Sequence, residues 1–342
     1  MRFLRALAII PLFCLAVLAQ DGHQQYANLD GCKLESGKVI LDCRIGYRVF
    51  GKPASDGSNV ILVPAWFAGT TQNLADWAIG PGHAYDPARW AIIAVDALGN
   101  GVSSSPSNST RQPRMQFPEF TLRDMVETQY RLLTETFHFK HIHAVSAISM
   151  GGMQTFQWAF SHPEFVDVAI PIVGSPRPTS YDLILCRAEM NGILQDRQWN
   201  GGNYKGHPSF RMTSDIHTLL LTTPGHLVQA TPSASALELI EKAENNDHFD
   251  ANDRLRQLQA MMTNDVAAGK SLADAAKSLK VRMAIVTSQQ DHMVNPAAAI
   301  EFANAARVPL LVLTSDCGHL ANGCEADRVN VFVGAALKGE HN

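Results

Sequence analysis

Two hydrophobic periods alternate along this chain. Continuous apolar runs at 59–64, 90–95, 142–145, 168–173, 283–287 and 310–313 read as strands buried on both faces. Between several of them the period lengthens to that of a helix. Thr121 caps a long one, with Asp124 at its third position and Met125, Tyr130, Leu132 and Leu133 as apolar positions. Met153, Phe156, Ala159 and Phe160 recur on one side of a second, and 329–337 closes the chain as a third. Strand then helix, repeated, predicts a mostly parallel sheet flanked by helices. Residues 176–265 break the rhythm. They hold no convincing buried strand, they cluster Gly and Asn at 199–204, and helical patterns return near 216–221 and 236–243. This stretch is read as a helical lid inserted between a first core part, 20–175, and a second, 266–342. No internal repeat is visible.

The first 19 residues follow other rules. Arg2 and Arg5 precede an apolar run at 6–18, and Val17 and Ala19 are small residues suited to a cleavage site before Gln20. The run is short for a membrane span and contains Pro11, so 1–19 reads as a signal peptide and the destination as secreted or periplasmic. No other segment is apolar enough to span a membrane once it is removed. The whole chain is 46% hydrophobic and 18% charged, an ordinary globular balance. Losing Arg2 and Arg5 takes the net charge from −4 to −6, and no basic block remains to suggest a nucleic-acid partner.

Cysteine placement agrees with export. Gly37-Lys38 suits a two-residue hairpin turn between a strand from about residue 32 and a longer arm at 39–50. That register sets Leu34 opposite Leu41 and Cys32 opposite Cys43, with Cα atoms about 4.5–5.5 Å apart, within disulfide reach. Cys317 and Cys324 could close a second, short loop, and Cys186 is left over. In a reducing cytosol the same residues would be five buried thiols.

The chemistry centres on Ala147-Ile148-Ser149-Met150-Gly151, at the junction of the 142–145 strand and the following helix. A serine on a sharp strand-to-helix turn, with small residues two places either side, is the nucleophile-elbow pattern. The turn brings two backbones together, which is why larger side chains are excluded there. Such a serine needs a base and an acid that orients the base. Asp291 follows the 283–287 strand and His319 follows the 310–313 strand, in the order Ser, Asp, His that elbow folds use. The competing residues fit less well. Asp96 precedes the elbow and is better suited to bracing its own turn, Asp316 is too near His319 along the chain, and His292 as base would leave His319 unexplained. His141 and His143 alternate on a strand without a third ligand at sensible spacing, so no metal is expected. No cofactor is expected either.

With these residues placed, most of the chain resembles the homoserine O-acetyltransferase family of the α/β-hydrolase fold. The resemblance rests on Ser149-Met150-Gly151-Gly152-Met153-Gln154 with Trp158-Ala159, and on Phe117-Pro118 followed by Thr121, Arg123-Asp124-Met125-Val126 and Gln129. It extends to Pro81-Gly82 through Trp90, Trp199 with Gly201-Gly202 and Tyr204, Arg211-Met212, and Phe249-Asp250-Ala251-Asn252. It implies an acyl-Ser149 intermediate, oxyanion donors at the backbone N–H of Met150 and Phe67, and a helical lid over the site. It also implies Arg211 as a substrate-binding residue. There are departures. Ala147 stands where the family has Gly, and Ala65-Trp66-Phe67-Ala68-Gly69 where it has His-Ala-Leu-Thr-Gly. Thr218 and Leu320 replace the Tyr and Asp that would hold an amino acid beside Arg211. An ammonium facing Leu320 would lose a charge-assisted hydrogen bond, about 1.5–3 kcal/mol, which argues against homoserine as acceptor.

The expectation is an exported serine hydrolase of esterase type acting on a small ester or acyl substrate. An O-acyltransferase working from acetyl-CoA is the alternative, and a non-catalytic binding protein on the same scaffold is a third. A homodimer is left open.

Overall fold

The structure, a computed structural model, describes residues 22–206, 208–246 and 248–340. The proposed signal segment, 1–19, lies outside them. Its strands are β1 (Gln25–Asn28), β2 (Cys32–Lys33), β3 (Val39–Ile40), β4 (Arg44–Phe50), β5 (Val60–Pro64), β6 (Ala91–Val95), β7 (Ile142–Ile148), β8 (Val166–Ile172), β9 (Arg282–Met283), β10 (Ile285–Ser288) and β11 (Leu310–Leu313). The main sheet runs β1-β4-β6-β5-β7-β8-β10-β11, with β9 also on β8. β1 and β4 pair antiparallel, as do β4 and β6, and every later pairing is parallel.

Continuous apolar strands do what their pattern implies. Every residue of β5 and β6 is buried, and alternate residues enter different cores. Val60 and Leu62 face one cluster while Ile61 and Val63 face the other. One layer contains α2 (Leu122–Arg131) and α3 (Met150–Ser161), locked together where Trp158 Nε1 donates to Gln129 Oε1 at 2.8 Å. At the start of α2, Thr121 and Asp124 form the reciprocal cap that their spacing suggests. The other layer includes α1 (Thr71–Trp77) and α12 (Ala326–Lys338).

Between β8 and β9 lie α4 (Ser180–Leu194), α5 (Arg211–Leu221), α6 (Pro224–Ala230), α7 (Ala236–Asn246) and α8 (Ala251–Met262). Met190, Ile193, Phe210, Leu255 and Leu258 give this helical segment its own small core. Its two ends meet, because Val266 N–H donates to Pro176 O at 3.1 Å and Asn264 Nδ2 to Ser175 O at 3.1 Å. The residues that carried the family resemblance here are a brace. Asp250 accepts from Tyr204 Oη at 2.6 Å, and Asn252 accepts from Trp199 Nε1 at 2.9 Å. Short helices α9 (Leu272–Lys277), α10 (Ala297–Ala306) and α11 (Ala321–Cys324) complete the chain.

The hairpin register differs from the expected one. Cys32 pairs with Ile40 and Lys33 with Val39, because the turn is wider than two residues: Gly37 N–H donates to Leu34 O, with Gly37 at φ +81°. The long arm is interrupted at 41–43, and Cys43 begins the approach to β4. Cys32 and Cys43 are nevertheless joined in a disulfide, with Cα atoms 5.6 Å apart.

Candidate active site

β7 delivers Ser149 to the sheet's carboxyl edge in a conformation that a side chain rarely adopts, φ 60° and ψ −123°. Non-glycine backbone at such angles is strained by about 1–3 kcal/mol and must be held from outside. Holding is by close packing. Ser149 N–H donates to Ile172 O at 2.9 Å. A Cβ at Gly151 would lie 2.5 Å from Pro64 O and 2.8 Å from the Ala147 Cβ, and one at Gly152 would lie 2.8 Å from Ile172 O. Ala147 is tolerated only because position 151 has no side chain.

The structure brings Asp291 and His319 to this serine. His319 Nε2 is 2.9 Å from Ser149 Oγ, and His319 Nδ1 is 2.7 Å from Asp291 Oδ2. The other carboxylate oxygen, Oδ1, accepts the N–H groups of Met293 and Val294, each at 2.8 Å. With both oxygens engaged and the side chain buried, Asp291 cannot turn away. His292, the rival base, is not in this chain of bonds.

His319 sits in a short turn following β11, and several links fix that turn. Cys317 is disulfide-bonded to Cys324, Thr223 Oγ1 at the start of α6 donates to Asp316 O at 2.7 Å, and Glu325 Oε1 accepts the N–H groups of Thr314 and Ser315 at 2.8 Å. Gly318 adopts φ +62°, and a Cβ there would lie 2.9 Å from the Thr222 backbone. Asp316 itself turns to His226, 3.1 Å away. His226, Asp316 and Cys317 have ligand atoms within 4.8 Å of one another, the one such group among the described residues, but the Cys317 sulfur is committed to Cys324. His141 and His143 both turn to Asp167.

The loop after β5 carries Phe67. Asp96 braces it, accepting the N–H of Thr71 at 2.8 Å and the Nδ2 of Asn100 at 3.0 Å, while the same Asn100 nitrogen donates to Gly69 O at 3.0 Å. From α8, Gln257 Oε1 accepts the N–H of Ala68 at 3.0 Å. Phe67 N–H has no acceptor among the described residues. Met150 begins α3, where a first-turn N–H lacks a partner within the helix.

A cavity of about 340 Å³ opens over Ser149 and His319. Its walls are mostly apolar. The apolar lining includes Phe67, Leu185, Leu221, Leu258 and Met261, together with Trp77, Tyr85, Val329 and Val333. Polar exceptions are Asp182, whose carboxyl burial pushes above its ordinary range, and Cys186, whose thiol burial raises to about 12. Glu189 and His217 also line it.

Arg211 is not brought to this site. Its side chain is 75% exposed, pairs with Glu244 at 3.1 Å, and borders a separate depression with Asp196 and Met212. Seven residues of helix carry Thr218 round to nearly the same face. Leu320, by contrast, does line the main cavity. The residues that sequence reading missed are Asp96's bracing partners, Gln257, and the pair Glu189–His217. They lie on separate elements, and no local motif links them.

A family model described as alpha/beta hydrolase fold matches residues 59–323. An ethyl acetate hydrolase of Pseudomonas veronii is 34% identical over 207 residues, 60% of this chain and 59% of that protein. The chain thus spans little more than half the length of that relative. A homoserine O-acetyltransferase of Chlorobium chlorochromatii is 27% identical over 332 residues, covering 87% of this chain and 90% of its own. Among solved structures, an acetylester hydrolase from Corynebacterium glutamicum superposes with a TM-score of 0.86 at 27% identity, over 92% of this chain and 96% of that one.

Proposed function

The chain belongs to the alpha/beta hydrolase fold family, and on that premise we propose that it is an exported serine esterase that cleaves small esters through an acyl-Ser149 intermediate. One observation carries the reading. Ser149, His319 and Asp291 form a continuous hydrogen-bonded run, 2.9 Å and 2.7 Å, at the wall of a largely apolar cavity. Similarity to an ethyl acetate hydrolase and an acetylester hydrolase supports an ester as the substrate.

Ser149 Oγ attacks the ester carbonyl carbon while His319 Nε2 takes its proton. Asp291 accepts the Nδ1–H, which holds the ring in the required tautomer and stabilises the imidazolium. The N–H groups of Met150 and Phe67 receive the negative oxygen of the tetrahedral intermediate. Collapse expels the alcohol, which takes the proton from His319, and leaves the acyl group on Ser149. Water then attacks the acyl carbon and gives its proton to His319. A second collapse releases the acid and returns the proton to Ser149 Oγ.

In this reading residues 176–265 are the lid over the cavity. Export rests on the pattern of 1–19, and two disulfides agree with an oxidising compartment. Acyl transfer from acetyl-CoA is the second reading, favoured by the near full-length match to homoserine O-acetyltransferases. It ranks lower because Arg211 lies apart from the cavity and Leu320 offers an ammonium no partner. The deciding experiment supplies the purified protein with ethyl acetate, and separately with saturating acetyl-CoA and homoserine. Acid release is expected to exceed thiol release, and acetyl transfer outpacing ester hydrolysis would overturn the proposal.

A further inference from the structure

Glu189 and His217 have no part in the chemistry above, yet they face the same cavity. Glu189 is 1% exposed, an expensive place for a carboxylate unless it is paired. Its Oε2 stands 3.5 Å from Arg254 Nη1, an ion pair that balances its charge, and its Oε1 is 3.2 Å from His217 Nδ1. A carboxylate oxygen can only accept, so Nδ1 of His217 carries the hydrogen and donates it. When the ring is neutral, its lone pair is then on Nε2. Among the described residues the ring's one hydrogen-bond partner is Glu189, at Nδ1, and the side chain is 28% exposed. The His217 ring lies 5.8 Å from that of Phe67, which is next to where the reacting carbonyl would sit. Leu185, Leu221, Leu258 and Met261 line the same cavity.

An acceptor held in fixed orientation within an apolar wall is a recognition element. We propose that His217 Nε2, held in its tautomer by Glu189, is a specificity site for a hydroxyl on the substrate, so that the preferred esters are hydroxylated ones. The proposal rests on the esterase reading. A carboxylate in place of the hydroxyl would meet a lone pair and, behind it, Glu189. A cation would find the Glu189 charge already balanced by Arg254. An uncharged donor is what remains.

The test uses two ester pairs in which a hydroxyl replaces a methyl: ethyl 3-hydroxybutanoate against ethyl 3-methylbutanoate, and 2-hydroxyethyl butanoate against propyl butanoate. They place the hydroxyl on the acyl and alcohol halves respectively. In at least one pair the wild-type protein should turn over the hydroxylated member as well as or better than its isostere, by kcat/KM. In His217→Phe that ratio should fall about tenfold. Taking the ratio within a pair cancels any general loss of rate or folding. Should the variant not fold, wild-type protein alone decides. A preference for the methyl member of about tenfold in both pairs means a hydroxyl buried without a partner, and overturns the site. Equal ratios in wild type and His217→Phe also overturn it. No turnover of any of the four esters would instead defeat the esterase reading, and this site with it.

Discussion

The serine and the histidine that meet at 2.9 Å are held in different ways. Ser149 is held by exclusion: two glycines leave room for Pro64 O and Ile172 O to press against the turn, and a strained backbone has nowhere to relax. His319 is held by attachment, through a disulfide, a threonine at the start of α6 and a glutamate that caps its loop. Steric exclusion is local and fails all at once. Attachment is distributed, so removing one link weakens the loop without abolishing it.

Variants on the two sides should divide accordingly. The largest effect is expected for Ser149→Ala, a loss of ester turnover of at least about 10⁴-fold. Its melting temperature should stay close to wild type, because the hydroxyl's one side-chain partner among the described residues is His319. Turnover that survives the change would remove the nucleophile from the comparison altogether. Asp291→Asn should lower kcat by about 10⁴-fold, since the amide nitrogen facing Nδ1 favours the wrong tautomer. Steady-state kinetics over a range of pH would expose it, and an unchanged kcat would show that Asp291 does not orient the base.

Gly151→Val should cost about 3 kcal/mol or more, because the new side chain meets backbone and not a movable tip. Denaturant titration measures this, and a midpoint equal to wild type would mean that exclusion does not hold the elbow. The double change Cys317→Ser/Cys324→Ser should cost about 2 kcal/mol, the loop-closure value for a short ring. It should also lower kcat more than Cys32→Ser/Cys43→Ser does, since only the first pair brackets the base. Equal activities would remove that distinction. The smallest effect is expected for Thr223→Ala, about 1 kcal/mol for the lost cap of α6, with a modest fall in kcat.

What was legible in the chain follows the same division. The elbow could be read because its constraint is local: small residues at 147 and 151 record the close approach directly. Asp291 and His319 could be placed because buried parallel strands announce themselves as apolar runs and functional residues follow their ends. β1 was not visible, since Gln25–Asn28 is an edge strand with one buried residue and no apolar run. The hairpin register was misjudged because Gly37 serves a wider turn than a Gly-Lys pair suggests. α4 and α8 passed unnoticed as helices although both carry apolar positions, because buried charges at Glu189, Arg254 and Arg256 blur the stripe. Arg211 was assigned from the family resemblance, which says nothing of which way its helix face turns in this chain. Contacts such as Gln257 to Ala68 join residues 189 apart, and no local pattern encodes them.

The Cys317–Cys324 bond makes the segment carrying His319 a closed ring rather than a simple loop. A protease that cut one peptide bond between those cysteines would produce two chain ends but no fragment, because both ends would stay tied to the fold through sulfur. In the proposed mechanism, the residue that moves the proton would then stay tethered to the fold after a single backbone break in its own loop.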